Sequence, residues 1–176
     1  QVLSILTTTG YATVDFNQWS SSAKIILLAL MFFGCCAGST AGGIKMVRWL
    51  LLAKFARKEV FSVVHRHAVK RIKYNNKSLQ EDVMRSVIAF FIIYVLIFAV
   101  GTILLAIMGL DLESSVTASI AALGNVGPGM GIVGPMEGFN SVPDPGKLIL
   151  SFYMLVGRLE VFTVIVMLTP EFWKKW

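Results

Sequence analysis

Residues 122–129 read Ala-Leu-Gly-Asn-Val-Gly-Pro-Gly, and this stretch decides the fold. Its glycines, Gly124, Gly127 and Gly129, together with Pro128 exclude a regular helix or strand. Long apolar segments lie on both sides, so we expect the stretch at membrane depth. Non-helical chain survives there only inside protein or along a cavity. Because carbonyl oxygens can replace the water shell of an alkali cation, the stretch predicts a cation-binding loop.

The composition is that of a membrane protein. Of the 176 residues, 56% are hydrophobic and only 15% are charged. Basic side chains cluster in residues 54–77, where Glu59 is the only acid, and such a cluster predicts a cytoplasmic loop. Its members are Lys54, Arg57, Lys58, Arg66, Lys70, Arg71, Lys73 and Lys77. A basic run can also bind nucleic acid, but the membrane-like flanks argue against a nucleic-acid partner.

Three apolar segments are long enough to cross a bilayer, which takes about 20 residues. Residues 25–44 and residues 86–110 carry no charge, and a third segment runs from residue 147 to residue 170. Residues 114–123 are small and apolar but too few to span. We expect them to form a re-entrant half-helix that stops at Gly124.

The second half of the first segment, residues 34–43, is rich in glycine and reads Gly-Cys-Cys-Ala-Gly-Ser-Thr-Ala-Gly-Gly. The pair Gly42-Gly43 favours a break in the helix, and close helix packing through small residues is the alternative. Cys35 and Cys36 are expected to be packing residues. His65 and His67 lack Cys or acidic partners at ligand spacing and predict no metal site.

Two parts of the chain share one plan. Thr8-Thr9-Gly10 precedes the polar residues 12–22 and a helix from about Ala23, and Asn125-Val126-Gly127 precedes the irregular residues 130–146 and a helix from about Lys147. The unit is helix, re-entrant loop, helix. The fold prediction is an all-α integral membrane protein of helix–pore-loop–helix repeats, like a potassium channel, with about three transmembrane helices. It assigns a pore loop, an inner helix and the basic loop to residues 1–77, and one complete repeat to residues 78–176.

A pore of this kind needs about four loops around one axis. One and a half copies cannot close it, so we expect further repeats to lie upstream of Gln1.

Four motifs resemble those of the Trk/Ktr/HKT potassium transporters. They cover nearly the whole chain in the right order: Thr7-Thr-Thr-Gly-Tyr-Ala-Thr13, Ala37-Gly-Ser-Thr-Ala-Gly-Gly-Ile-Lys45, Ala122–Gly129 and Met154-Leu-Val-Gly-Arg-Leu-Glu-Val-Phe162. The resemblance implies the third repeat without its first helix, followed by the fourth repeat. It further implies potassium uptake across the bacterial inner membrane by a multi-pass homodimer. The implied partners are the N-terminal half of the same transporter and a cytosolic nucleotide-binding regulatory subunit.

The resemblance also implies the roles of particular residues. No cofactor is expected to be bound directly, and potassium is the transported ion. A selectivity filter is implied at Thr8, Thr9, Gly10, Tyr11, Asn125, Val126, Gly127 and Pro128, with the carbonyls of Thr8, Thr9, Asn125 and Val126 as the main potassium ligands. An intramembrane gating loop below the filter is implied at residues 34–43, including Gly38, Ser39, Thr40, Gly42 and Gly43.

Arg158 is charged in the middle of the last predicted span. A mid-bilayer arginine costs about 2.5–3.5 kcal/mol on insertion scales, so it must face a cavity or find acceptors. Its guanidinium suits several carbonyls at once. We expect Arg158 to face the pore and to latch the gating loop. An arginine buried against another helix is the alternative.

Three other functions compete with a channel-like transporter. A phosphate-binding enzyme loop at 124–129 lacks the strand and helix that such a site requires, so an enzyme is not expected. A structural membrane module would use the glycines for packing alone, and Arg158 argues against it. A carrier with broken helices would share the membrane and the ion but would move by rocking.

Overall fold

The computed structural model describes residues 1–36, 38–39, 41–65, 72–74, 77–79 and 81–173. The described helices are α1 (Val2–Leu6), α2 (Ser21–Met31), α3 (Met46–Val64), α4 (Glu81–Ile107), α5 (Leu112–Gly124), α6 (Asp144–Arg158), α7 (Val161–Leu168) and α8 (Pro170–Trp173). Two minimal strand pairs are also present. The pair β1 (Phe33–Gly34) and β2 (Ile44–Lys45) is parallel, and the pair β3 (Lys73–Tyr74) and β4 (Lys77–Ser78) is antiparallel.

Helix α4 is the long apolar helix that the charge-free segment predicts. Glu81 and Asp82 lie in its first turn, where acids favour a helix start. Within the described residues it is the one helix long and apolar enough to cross a membrane by itself. Large apolar side chains such as Ile92, Leu96 and Ile103 remain exposed along it, as a lipid-facing surface requires.

Helix α5 is the centre of the packing. It is short, as expected, and its residues from Ser114 to Gly124 are almost all buried against α4 and α6. Small side chains let the neighbouring helices approach closely. Ser119 Oγ donates a hydrogen bond of 3.1 Å to the Phe98 carbonyl of α4. Tyr153 of α6 donates one of 2.8 Å to Ile97.

The segment from 25 to 44 is broken, as its glycines predict. Helix α2 ends at Met31, and β1 then forms a short parallel pair with β2. The extent of the basic loop is different from the prediction. Residues 54–64 belong to helix α3, because Leu51 and Phe55 pack against Met84 and extend an apolar stripe along this helix.

The last apolar segment is also different from its prediction as one straight span. Helices α6 and α7 meet at a bend of 107°. Two local features hold this bend. Gly157 packs so closely on the Leu123 carbonyl that no side chain fits there, and Glu160 adopts a left-handed φ of 62° while pairing with Arg48. Arg158 is therefore the last residue of α6 rather than the middle of a continuous helix.

Candidate functional site: two glycine loops above a broken helix

The two predicted filter loops have the same backbone geometry. Thr8 and Asn125, the first residues of the two triplets, both lie in the left-handed region, with φ values of 54° and 53°. Two residues later, Gly10 and Gly127 have φ values of 80° and 106°, which side-chain-bearing residues rarely adopt. The sequence predicts the two glycine conformations. It does not predict the left-handed Thr8, because threonine gives no signal for that conformation.

The two loops also touch each other. A methyl group added to Gly10 would lie 2.5 Å from the Val126 carbonyl oxygen and 3.4 Å from the ring of Pro128. One added to Gly127 would lie 3.8 Å from the Gly10 Cα. The fold therefore brings together residues that lie more than a hundred positions apart in the chain.

Hydrogen bonds fix each loop to the short helix that precedes it. In the first loop the N–H of Thr9 donates to the Ser4 carbonyl at 2.9 Å, and Ser4 Oγ donates to the Tyr11 carbonyl at 2.6 Å. In the second loop the N–H of Val126 donates to the Ala121 carbonyl at 2.9 Å. Asn125 Nδ2 donates to the Met154 carbonyl of α6 at 3.1 Å.

The backbone oxygens of both loops remain available. Within the described part of the chain, no hydrogen-bond donor reaches the carbonyl oxygens of Thr8, Thr9, Asn125 or Val126. On this chain Val126 is buried, Thr8 and Asn125 are half-buried, and Thr9 is exposed. The Tyr11 carbonyl differs from these four because Ser4 already occupies it.

Polar side chains that the sequence interpretation passed over hold the outer ends of the loops. Asn17 makes two hydrogen bonds of 3.0 Å with the carbonyl and the N–H of Gly131, and so links the two repeats. Thr117 Oγ1 accepts from the Met130 N–H at 3.0 Å, and Ser114 Oγ accepts from the Ile132 N–H at 2.9 Å. The sequence signal for these contacts is the presence of hydroxyl side chains in the otherwise apolar helix α5.

The described part of the glycine-rich segment lies against the helix ends from which the filter loops begin. Gly42 packs on the Gly124 carbonyl without room for a side chain, and an added methyl group would lie 3.0 Å from Asn125 Cβ. Cys35 Sγ donates to the Leu6 carbonyl at 3.0 Å. Gly38 and Gly43 have φ values of 85° and 74°. Thr40, one of the predicted gate residues, lies outside the described residues.

Lys45 is a further side chain that the sequence does not single out. Its ammonium group donates to the Ala41 carbonyl at 2.8 Å and also to the Ser39 carbonyl. These are backbone acceptors of the type proposed for Arg158. Arg158 itself lies at the end of α6 and is exposed on this chain. Glu160, two residues later, pairs with Arg48 at 2.7 Å and not with Arg158.

The comparisons with known proteins place this arrangement in a family. A profile of the TrkH family, described as a cation transport protein, matches residues 1–175. This chain belongs to that family. The family is one of transport proteins and not of enzymes, which confirms the non-enzyme prediction. TrkH-family transporters are membrane proteins, in agreement with the predicted class.

Three relatives illustrate the similarity. The chain is 41% identical to the Trk system potassium uptake protein TrkH of Escherichia coli K12 and 39% identical to TrkI of Halomonas elongata, over 99% of its own length in both cases. It matches the crystal structure of the potassium transporter TrkH from Vibrio parahaemolyticus with a TM-score of 0.87 and 41% identity, over 97% of this chain. In all three cases the chain spans 36% of the relative's length.

Proposed function

We propose that this chain forms part of the pore of a potassium uptake transporter and supplies two of its filter loops. The observation that carries the proposal is the pair of touching loops with matching left-handed backbone and unpaired carbonyls. Such oxygens suit a dehydrated alkali cation, and a pore needs about four loops of this kind. Two further repeats would come from the remaining length of the transporter.

The filter comprises the residues named above, with the carbonyls of Thr8, Thr9, Asn125 and Val126 as ligands. Gly10 and Gly127 allow those carbonyls to turn toward the axis, since their φ values suit glycine. Tyr11 and Pro128 complete the two loops, and the Pro128 ring lies 3.4 Å from a methyl group added to Gly10. Potassium is the cargo, and the proposal includes no directly bound cofactor.

The gate is the glycine-rich segment below the filter. Two features support this role: the segment interrupts the chain between α2 and α3, and it packs against the start of the second loop. Lys45 holds Ser39 and Ala41 in place. Arg158 follows Gly157, which packs on the Leu123 carbonyl, and we assign to it a second positive charge near the ion path. Both charges oppose cation leakage while the gate is closed.

The proposal also covers the surroundings of the protein. The basic residues from Lys54 onward lie on the cytoplasmic side of the inner membrane, following the distribution of positive charge in membrane proteins. Residues 1–77 and 78–176 serve as partial third and complete fourth repeats. The assembled transporter is a homodimer in the lipid bilayer and works with a cytosolic nucleotide-binding regulatory subunit.

The decisive experiment is Gly127→Ser in the full-length transporter, with potassium and sodium uptake measured in cells that lack their own uptake systems. We expect the ratio of potassium to sodium uptake to fall, because a side chain at φ 106° forces the loop to rearrange. The matched control is Gly109→Ser. Gly109 has a similar φ of 94° but no neighbouring atom within 4 Å of an added methyl group. A folded Gly127→Ser variant with unchanged rate and ion preference would refute the filter assignment.

A further inference from the structure

An ion pair joins the first turn of α3 to the bend in the last span. Arg48 donates to Glu160 at 2.7 Å, and the two side chains are 22% and 46% exposed. The Arg48 guanidinium also lies 3.8 Å from the centre of the Phe90 ring of α4. One arginine therefore contacts the middle spanning helix and the junction between α6 and α7.

The same turn of α3 carries the contacts to the glycine-rich segment. Lys45 lies three residues before Arg48 and holds the Ser39 and Ala41 carbonyls. Trp49, the next residue after Arg48, packs against Phe33 of β1, with ring centres 4.8 Å apart. A displacement of this turn would therefore displace the segment between β1 and β2.

The other end of the ion pair lies at a strained position. Glu160 has a φ of 62° at a bend of 107°, and a non-glycine residue keeps such a conformation only when its surroundings hold it. Within the described residues, the contact that holds its side chain is the Arg48 guanidinium. Removing Arg48 takes away that restraint.

We infer that Arg48 and Glu160 are positioning residues that couple the bend of the last span to the glycine-rich gate. The inference rests on the proposed role of that segment as a gate. Neither residue contacts the transported ion. The pair keeps the first turn of α3, and with it Lys45 and the gate, in the closed arrangement while α6 and α7 are bent.

The test uses the full-length transporter in proteoliposomes. Arg48→Gln and Glu160→Gln should each raise potassium flux without the regulatory partner by roughly 5- to 150-fold, the usual range of coupling between sites. Arg48→Lys should stay near wild type because it keeps the charge. The exchange of both charges, Arg48→Glu with Glu160→Arg, should bring the flux back toward wild type. The ratio of potassium to sodium flux should not change in any of these variants.

The chain offers a matched control. Lys24 and Glu113 form an ion pair of 2.9 Å whose side chains are 23% and 46% exposed, so it resembles the Arg48–Glu160 pair in length and exposure. Lys24→Gln should leave the basal flux unchanged. Glu160→Asp, which keeps the charge but shortens the side chain, supplies a variant in case a neutral one fails to fold.

Three results would overturn the coupling. One is wild-type basal flux in folded Glu160→Gln and Glu160→Asp, and another is an equal rise in Lys24→Gln. A change in ion preference would instead place the pair in the filter and would also refute the inference. Refutation of the gate proposal itself can be distinguished from refutation of the coupling. If the segment is not a gate, Lys45 variants also show unchanged flux.

Discussion

Replacing Lys45 by methionine removes a positive charge from the glycine-rich segment while keeping the length of the side chain. The ammonium group donates to the carbonyls of Ser39 and Ala41 and thereby fixes the part of the segment that packs beneath the second filter loop. A thioether cannot donate a hydrogen bond, so both carbonyls lose this partner. We expect the closed arrangement of the gate to become less stable.

The size of the effect follows from the two contacts. A hydrogen bond with a charged group contributes about 1.5–3 kcal/mol, and water replaces part of the loss in an opened segment. Counting one bond of the two as the net loss gives about 1.5–3 kcal/mol, which corresponds to a rise of about 10- to 150-fold in the open fraction. Basal potassium flux should increase by the same factor until the gate is mostly open.

The assay is potassium flux into proteoliposomes that contain the full-length transporter without its regulatory partner, normalised to folded protein. Lys147→Met is the control, because Lys147 pairs with Asp144 in the first turn of α6 and is partly exposed. Lys45→Arg should retain low flux, since its guanidinium can donate to the same carbonyls. Basal flux of Lys45→Met within about twofold of wild type, far below the rise expected from the lost hydrogen bonds, would refute the closed-gate argument.

Two further predictions concern charged residues at the ends of helices, Arg158 at the end of α6 and Asp111 before α5. Arg158→Ala should raise basal potassium flux in the same assay if Arg158 is part of the closed gate, and flux at or below wild type in the folded variant would exclude that role. At the start of α5, hydrogen bonding from Ser114 lowers the pKa of Asp111, so this carboxylate stabilises the fold above its ordinary pKa and loses the contribution as the pH falls through the lowered value. Asp111→Asn keeps a helix cap but cannot titrate, and thermal unfolding followed from neutral to acid pH should therefore depend less on pH than in wild type, whereas an unchanged dependence would contradict the assignment.

The parts of the fold that could be predicted from sequence are those fixed by local rules. A charge-free run after two acids predicts α4, and a run too short to span predicts α5. Glycines at 10 and 127 predict unusual φ values, because only glycine adopts them at low cost. In each case the decisive information lies within a few neighbouring residues.

The parts that could not be predicted depend on contacts between distant residues. The bend at Glu160 is stabilised by Arg48, which lies 112 positions earlier in the sequence. Arg158 stands out in the sequence as a charge in an apolar run, whereas Lys45 resembles an ordinary residue at the edge of one. Which basic side chain reaches the Ser39 and Ala41 carbonyls depends on how α3 begins after β2. A single sequence does not contain that geometry.

The left-handed residues of the two loops have a consequence for the symmetry of the proposed pore. Asparagine is among the residues that tolerate this conformation best, whereas a branched threonine at φ 54° is strained by about 1–2 kcal/mol. In the proposed pore, neighbouring quarters of the ion path therefore differ in strain energy, although the matching residues of the two loops have similar φ values. The proposed ring is uneven in strain energy, and its first loop would release more of this energy by relaxing. When the site loses its ion, that quarter should deform first.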